Sequence, residues 1–74
     1  MREYDSHLVA ERLKELRNER HVGQNALAAA LSLSNASISY WENGKQEPGA
    51  AALMKLAQFF EVSVDYLLGL EDSI

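Results

Sequence analysis

The residues able to do covalent or metal chemistry are few and poorly placed for it. His7 and His21 are the only two histidines, and there is no cysteine. The histidines sit at opposite ends of one helix-forming stretch, which at about 1.5 Å per residue sets them ~20 Å apart. They cannot share a metal, and without cysteine there is neither a thiolate site nor a disulfide. Serines are plentiful, yet no Ser/His/Asp arrangement has structural support, and no glycine-rich loop is present to cradle a phosphate. Neither catalysis nor a cofactor is expected. What the chain offers instead is neutral hydrogen bonding. From residue 21 to residue 41 there is no Asp, Glu, Lys or Arg, while Gln24, Asn35, Ser37 and Tyr40 all fall there. Amides and hydroxyls of this kind can both donate and accept hydrogen bonds to a partner.

The elements that must position these groups follow from composition and periodicity. At 74 residues the chain makes one domain, near the lower limit for a core without staples. Apolar residues make up 47%, a globular value, and only one proline and four glycines interrupt helices. The N-terminal stretch is charged throughout and lacks a signal-like apolar run. No apolar stretch approaches the roughly 18 residues needed to span a membrane. A soluble, cytoplasmic protein with no membrane partner is expected.

The formal net charge is −4, which argues against a nucleic-acid partner if taken whole. The distribution softens the objection. Residues 12–46 carry five bases and three acids, and the rest of the chain carries two bases and eight acids. Acid is concentrated toward the ends.

The pattern predicts five helices and no strand. Helix 1 spans about 7–20, capped by Asp5 or Ser6, with Val9, Leu13 and Leu16 on one buried stripe. Arg12, Lys14 and Arg20 are read as a solvated face. Helix 2 spans 24–31 after Gly23, with Leu27, Ala28 and Leu31 inward. Helix 3 spans 35–43, capped by Ser34, with Ile38 and Trp41 toward the core and Gly44 suited to the left-handed position after it. Helix 4 spans 50–60, with Leu53, Leu56, Ala57 and Phe60 on one side. Ser63 caps helix 5, 64–68, with Val64, Leu67 and Leu68 buried and Gly69 ending it. Tyr66 is either half-buried or part of a dimer interface. Residues 70–74 are expected to fray.

Helices 2 and 3 are short and joined by Ser32, Leu33 and Ser34. A turn of that length between two helices is the helix-turn-helix signature. It lets helix 3 protrude into a major groove while helix 2 lies across the phosphates, with Leu33 plugging the gap between them.

Specific residues then carry a resemblance. Gln24-Asn25-Ala26-Leu27-Ala28, Leu31-Ser32-Leu33-Ser34 and Ser37-Ile38-Ser39-Tyr40-Trp41-Glu42-Asn43-Gly44-Lys45 resemble the Xre family, the DNA-binding domains of phage Cro and repressor type. Pro48, Leu53, Leu56-Ala57 and the run from Val62 to Gly69 fit the same pattern. The resemblance covers roughly residues 8–69. It implies an all-α, five-helix, lambda-repressor-like domain.

The family's roles carry over by position. Gln24 resembles a glutamine that binds a phosphate and steadies the first residue of the reading helix. Asn35, Ala36, Ser37 and Tyr40 match positions that meet base edges. Asn35 suits adenine, Ala36 suits a thymine methyl, and Ser37 is permissive. Asn43 and Lys45 match backbone anchors. Arg17 resembles a helix 1 arginine that pairs with Glu42 beside the DNA. Two departures stand out: Gly23 replaces a common Ser or Thr, and Ser32 replaces the usual turn glycine and must take a less comfortable backbone. The reading helix also lacks arginine, so modest affinity and a shallow salt dependence are expected.

The resemblance implies a sequence-specific transcriptional regulator, a repressor binding a palindromic double-stranded DNA operator as a homodimer. A second reading is a protein-interaction module, antitoxin-like or antirepressor-like. Its working surface would be the acidic ends, residues 1–11 and 61–74.

Overall fold

A computed structural model describes residues 5–71 of the chain. Among them are five helices and no strand: α1 (Ser6–Glu19), α2 (Gln24–Leu31), α3 (Asn35–Glu42), α4 (Ala50–Phe60) and α5 (Val64–Leu67). Every element expected from the sequence is present, with ends shifted by at most one residue. Residues 72–74 of the expected frayed tail, and residues 1–4 of the acidic N-terminal end, lie outside the described residues.

The starts of three helices are set by side-chain caps. Asp5 accepts the amide of His7 at 2.9 Å, Ser34 that of Ser37 at 3.2 Å, and Ser63 that of Tyr66 at 2.9 Å. Each side-chain oxygen satisfies a donor that has no partner within its own helix. Gly23 and Gly49 stand at the starts of α2 and α4 and supply no such bond.

All five helices end in one way. A left-handed residue follows each: His21 (φ 55°), Ser32 (φ 56°), Gly44 (φ 71°), Glu61 (φ 58°) and Gly69 (φ 81°). The next amide then reaches back to a carbonyl of the final turn. The pairs are Val22 to Arg17 (3.0 Å), Leu33 to Ala28 (2.8 Å), Lys45 to Tyr40 (2.9 Å), Val62 to Ala57 (3.0 Å) and Leu70 to Asp65 (2.8 Å). This is the Schellman closure, in which the residue beyond the left-handed position is characteristically apolar and packs back on the helix. Val22, Leu33 and Val62 do so, each lying against the core. Leu33 thus acquires its place between α2 and α3 from the closure of α2.

Leu13, Leu16, Leu27, Ile38, Trp41, Leu56, Ala57, Phe60 and Leu67 form a single core. Burying each large aliphatic side chain contributes about 1.5–3 kcal/mol. Val9 and Ala10 extend the buried face of α1. In α5 only Leu67 is fully buried; Val64 and Leu68 keep partial exposure, because a single turn presents one residue squarely to the core. α3 packs on α1 and α2, while α5 packs on α4 and α1.

Three basic side chains close helix C-termini belonging to other elements. Lys55 Nζ donates to Leu31 O, the last carbonyl of α2, at 3.1 Å. Arg20 Nη2 donates to Phe60 O, the last of α4, at 2.8 Å. Arg12 donates to Tyr66 O near the end of α5, and its guanidinium lies 4.2 Å from the Tyr66 ring centroid. Arg12 and Arg20 are therefore not a merely solvated face. The negative ends of α4 and α5 lie within their reach, and a cation is favoured there. Tyr66 is half-buried beneath Arg12. No helix among the described residues is long and apolar enough to cross a membrane.

Candidate nucleic-acid interface

α3 is held to the body along one side and open along the other. Ile38, Trp41 and Glu42 face inward and are buried, Ile38 completely. Asn35 and Ala36 are exposed, and Tyr40 keeps 42% of its surface open. Residues four apart share a helix face. Tyr40 therefore lies one turn beyond Ala36, and Ser39 and Asn43 continue the row begun by Asn35.

Side-chain hydrogen bonds sort these groups further. The hydroxyl oxygens of Ser34 and Ser37 are 2.9 Å apart, and Ser37 is half-buried. Its hydroxyl belongs to the start of α3 rather than to the open face. Asn43 Nδ2 donates to Ser39 Oγ at 3.3 Å, which ties the amide at the far end of α3 to its own helix. Asn35 and Tyr40 make no side-chain hydrogen bond among the described residues. Lys45 is exposed in the loop after Gly44.

Behind α3 lies a compact ionic cluster. Arg17 Nε donates to Glu42 Oε2 at 2.7 Å and Nη2 to Oε1 at 2.9 Å, a two-pronged pair. Arg17 Nη1 also donates to Val22 O at 3.1 Å. Glu42 is only 3% exposed, and Gln24 Nε2 adds a third donor to its Oε1 at 3.1 Å. No buried side-chain polar atom among the described residues lacks a partner, as a low-dielectric interior demands. The hydrogen bonds to Glu42 raise the Arg17 guanidinium above its usual value, partial burial opposes this, and the charge of Glu42 adds to the rise.

Gln24 thus reaches Glu42, near the end of α3, and not Asn35 at its start. An ionised acceptor outcompetes a neutral one for the same amide. The structure brings Arg17 and Gln24 together on Glu42, groups Asn35, Ala36 and Tyr40 on the open face, and leaves Asn43 and Lys45 at its far edge. The ionic demand of Glu42 for three donors, and the use of Arg12, Arg20 and Lys55 at helix ends, escaped sequence reasoning. Both depend on distances between elements. Lys14 and Lys45 are exposed bases whose side chains make no hydrogen bond or ion pair among the described residues. No group of three or more His, Cys, Asp or Glu is arranged to hold a metal among them.

A short left-handed turn joining α2 to a half-buried α3 with one open, uncharged face defines a helix-turn-helix domain. Residues 13–67 match the Helix-turn-helix family HTH_3, and the chain belongs to it. Its Xre character and its five-helix, phage-repressor-like fold follow from the same match and from its relatives. The HTH-type transcriptional activator BcrR of Enterococcus faecalis is 39% identical over 64 residues, 86% of this chain and 31% of BcrR. Repressor protein C2 of Salmonella phage P22 is 34% identical over 64 residues, 86% of this chain and 30% of C2. The chain therefore spans about a third of the length of these two relatives. The crystal structure of the P22 c2 repressor in complex with synthetic operator 9T superimposes with a TM-score of 0.80 at 33% identity, covering 85% of this chain and 96% of that one. The same fold also occurs in hydroxypropylphosphonic acid epoxidase from S. wedmorenis, with a TM-score of 0.77 at 28% identity, covering 90% of this chain and 36% of the epoxidase.

Proposed function

We propose that this chain is the sequence-specific, double-stranded-DNA-reading domain of a cytoplasmic transcriptional regulator, a repressor that binds a palindromic operator as a homodimer. The observation that carries the reading is the open face of α3. Asn35, Ala36 and Tyr40 project from a helix whose other side is fixed to the body by Ile38, Trp41 and the Arg17–Glu42–Gln24 cluster. Inserted into a major groove, that face meets base edges, while the α2 N-terminus, with its unpaired amides, meets a phosphate.

The likeness to an operator-bound repressor supports the same placement. Asn43 and Lys45, at the far edge of the face, serve as backbone anchors, with Ser37 beside the first bases; Gln24 and Arg17 serve binding by holding Glu42, and with it α3, in place. Two copies on a palindrome would hold their reading helices about 34 Å apart, one turn of DNA. The second copy supplies the contacts that so few free bases in one copy do not.

Binding to a random duplex pool over a salt series tests the reading. Affinity that falls as salt rises, followed by enrichment of a palindromic site, is the expected result. Absence of DNA affinity at low salt, or binding unchanged by Asn35→Ala combined with Tyr40→Ala, would sink it.

A further inference from the structure

We propose that His7 is a ligand for the DNA backbone at the far end of α3, its protonated imidazole meeting a phosphate beside Asn43 and Lys45. The inference rests on the DNA-reading assignment above and adds to it a contact, made from α1, that depends on pH.

One side of α1 borders the end of α3. His7, Ala10, Lys14 and Arg17 are spaced by three, four and three residues, so they follow one side of that helix. Arg17 grips Glu42, the last residue of α3. At the other end of the row, His7 Nδ1 lies 3.9 Å from where a Cβ on Gly44 would stand. The imidazole therefore rests against the turn that closes α3, and Asn43 and Lys45 adjoin Gly44 on either side. His7 is exposed, and its side chain makes no hydrogen bond or ion pair among the described residues. Lys14 and Lys45 share that condition, whereas Arg12, Arg20 and Lys55 are engaged at helix ends. The side chains left to meet an outside anion thus gather along this edge.

No carboxylate is fixed on the imidazole. On α1, Asp5 accepts the His7 amide, and Glu11 stands exposed one turn on without pairing to His7. On the side of α3, Glu42 is buried and bound by Arg17 and Gln24, and Glu47 is exposed in the loop beyond Lys45. On the side of α5, which meets Leu8 through Gly69, Asp65 is exposed and Glu71 accepts from Ser63. His7 lies in the first turn of α1, where a cation is disfavoured, and beside the carbonyl end of α3, where one is favoured, so the two helix dipoles oppose each other. An imidazole changes charge between about pH 5 and pH 8. Because the charged form makes the contact, DNA affinity rises as pH falls.

Binding of a random duplex pool to the 74-residue chain, over salt series at about pH 8 and about pH 5.5, is the test. At the lower pH the slope of log K against log salt should steepen by about 0.9 per copy, which enlarges the loss of affinity from 50 to 200 mM salt about 3.5-fold. His7→Gln should keep the shallow slope at both pH values, and His7→Lys should show the steep slope at both. His21, ~20 Å away at the opposite end of α1, is the control, and His21→Gln should behave as the wild type. Circular dichroism at both pH values checks that each variant keeps its helices. A wild-type slope indifferent to pH, a pH response that survives in His7→Gln, or one that vanishes in His21→Gln would overturn the inference while leaving DNA binding intact. Absence of duplex binding at low salt at both pH values would overturn both.

Discussion

Arg17 and Glu42 meet through two parallel hydrogen bonds, 2.7 and 2.9 Å long, joining the last turn of α1 to the last residue of α3. The pair ties α3 to the body, with Glu42 almost wholly buried and Arg17 largely so. Removing one partner strands the other. Arg17→Ala should lower stability by about 3 kcal/mol. At roughly 4–8 °C per kcal/mol for a domain of this size, the melting temperature should fall by more than 10 °C. Arg17→Lys should recover little, since an ammonium cannot make the two-pronged contact. Thermal melts of the two variants check this, and an unchanged midpoint in Arg17→Ala would remove the tie from the account.

Ser32 and Glu61 occupy left-handed conformations that glycine adopts without strain. A side chain there costs about 1–2 kcal/mol, partly offset by the greater entropy that glycine loses on folding. Ser32→Gly and Glu61→Gly should each stabilise the domain, by about 0.5 kcal/mol. Urea titration of each variant provides the measurement, and a loss of stability in both would contradict it.

Gly69 shows the opposite case. It has φ 81°, and a Cβ there would overlap Leu8 Cδ2. Gly69→Ala should be destabilised by about 1–3 kcal/mol, from backbone strain together with overpacking against α1. A denaturation midpoint equal to the wild type would show that Leu8 yields without cost.

Ser34 caps α3 through its hydroxyl, and Ser37 braces that hydroxyl. Ser34→Ala should cost about 1 kcal/mol and fray the end of α3 that bears Asn35. Ser37→Ala should cost less, because the bond from the Ser37 amide to Ser34 Oγ survives. Hydrogen exchange at the first amides of α3 reports both, and equal protection in Ser34→Ala and wild type would dismiss the cap.

Lys14 and Lys45 are the exposed bases without a protein partner among the described residues, and Lys45 adjoins α3. The salt dependence of DNA affinity should be shallow, and Lys45→Ala should reduce the slope of log K against log salt by about 0.9 per copy. A slope unchanged by that substitution would place Lys45 away from the phosphates.

Much of this was legible beforehand, for a local reason. Asp5, Ser34 and Ser63 announce helix starts, Gly44 and Gly69 announce ends, and the spacing of Val9, Leu13 and Leu16 announces a buried stripe. These signals act within one or two turns of chain, so a linear reading captures them. The Arg17–Glu42 pair was visible only through family resemblance, since residues that far apart in the chain carry no local sign of contact.

The sequence by itself determined the five helices, the three-residue turn between α2 and α3, and the absence of Lys and Arg from the helix that follows. The tertiary structure decided which polar groups remain available. Packing α1 and α2 against α3 delivered both Arg17 and Gln24 to Glu42, because a buried carboxylate must collect donors from whatever lies within reach. It also drew Arg12, Arg20 and Lys55 onto the carbonyl ends of neighbouring helices. What is left facing outward on α3 is Asn35, Ala36 and Tyr40. That remainder is set by distances between elements, which no pattern along the chain encodes.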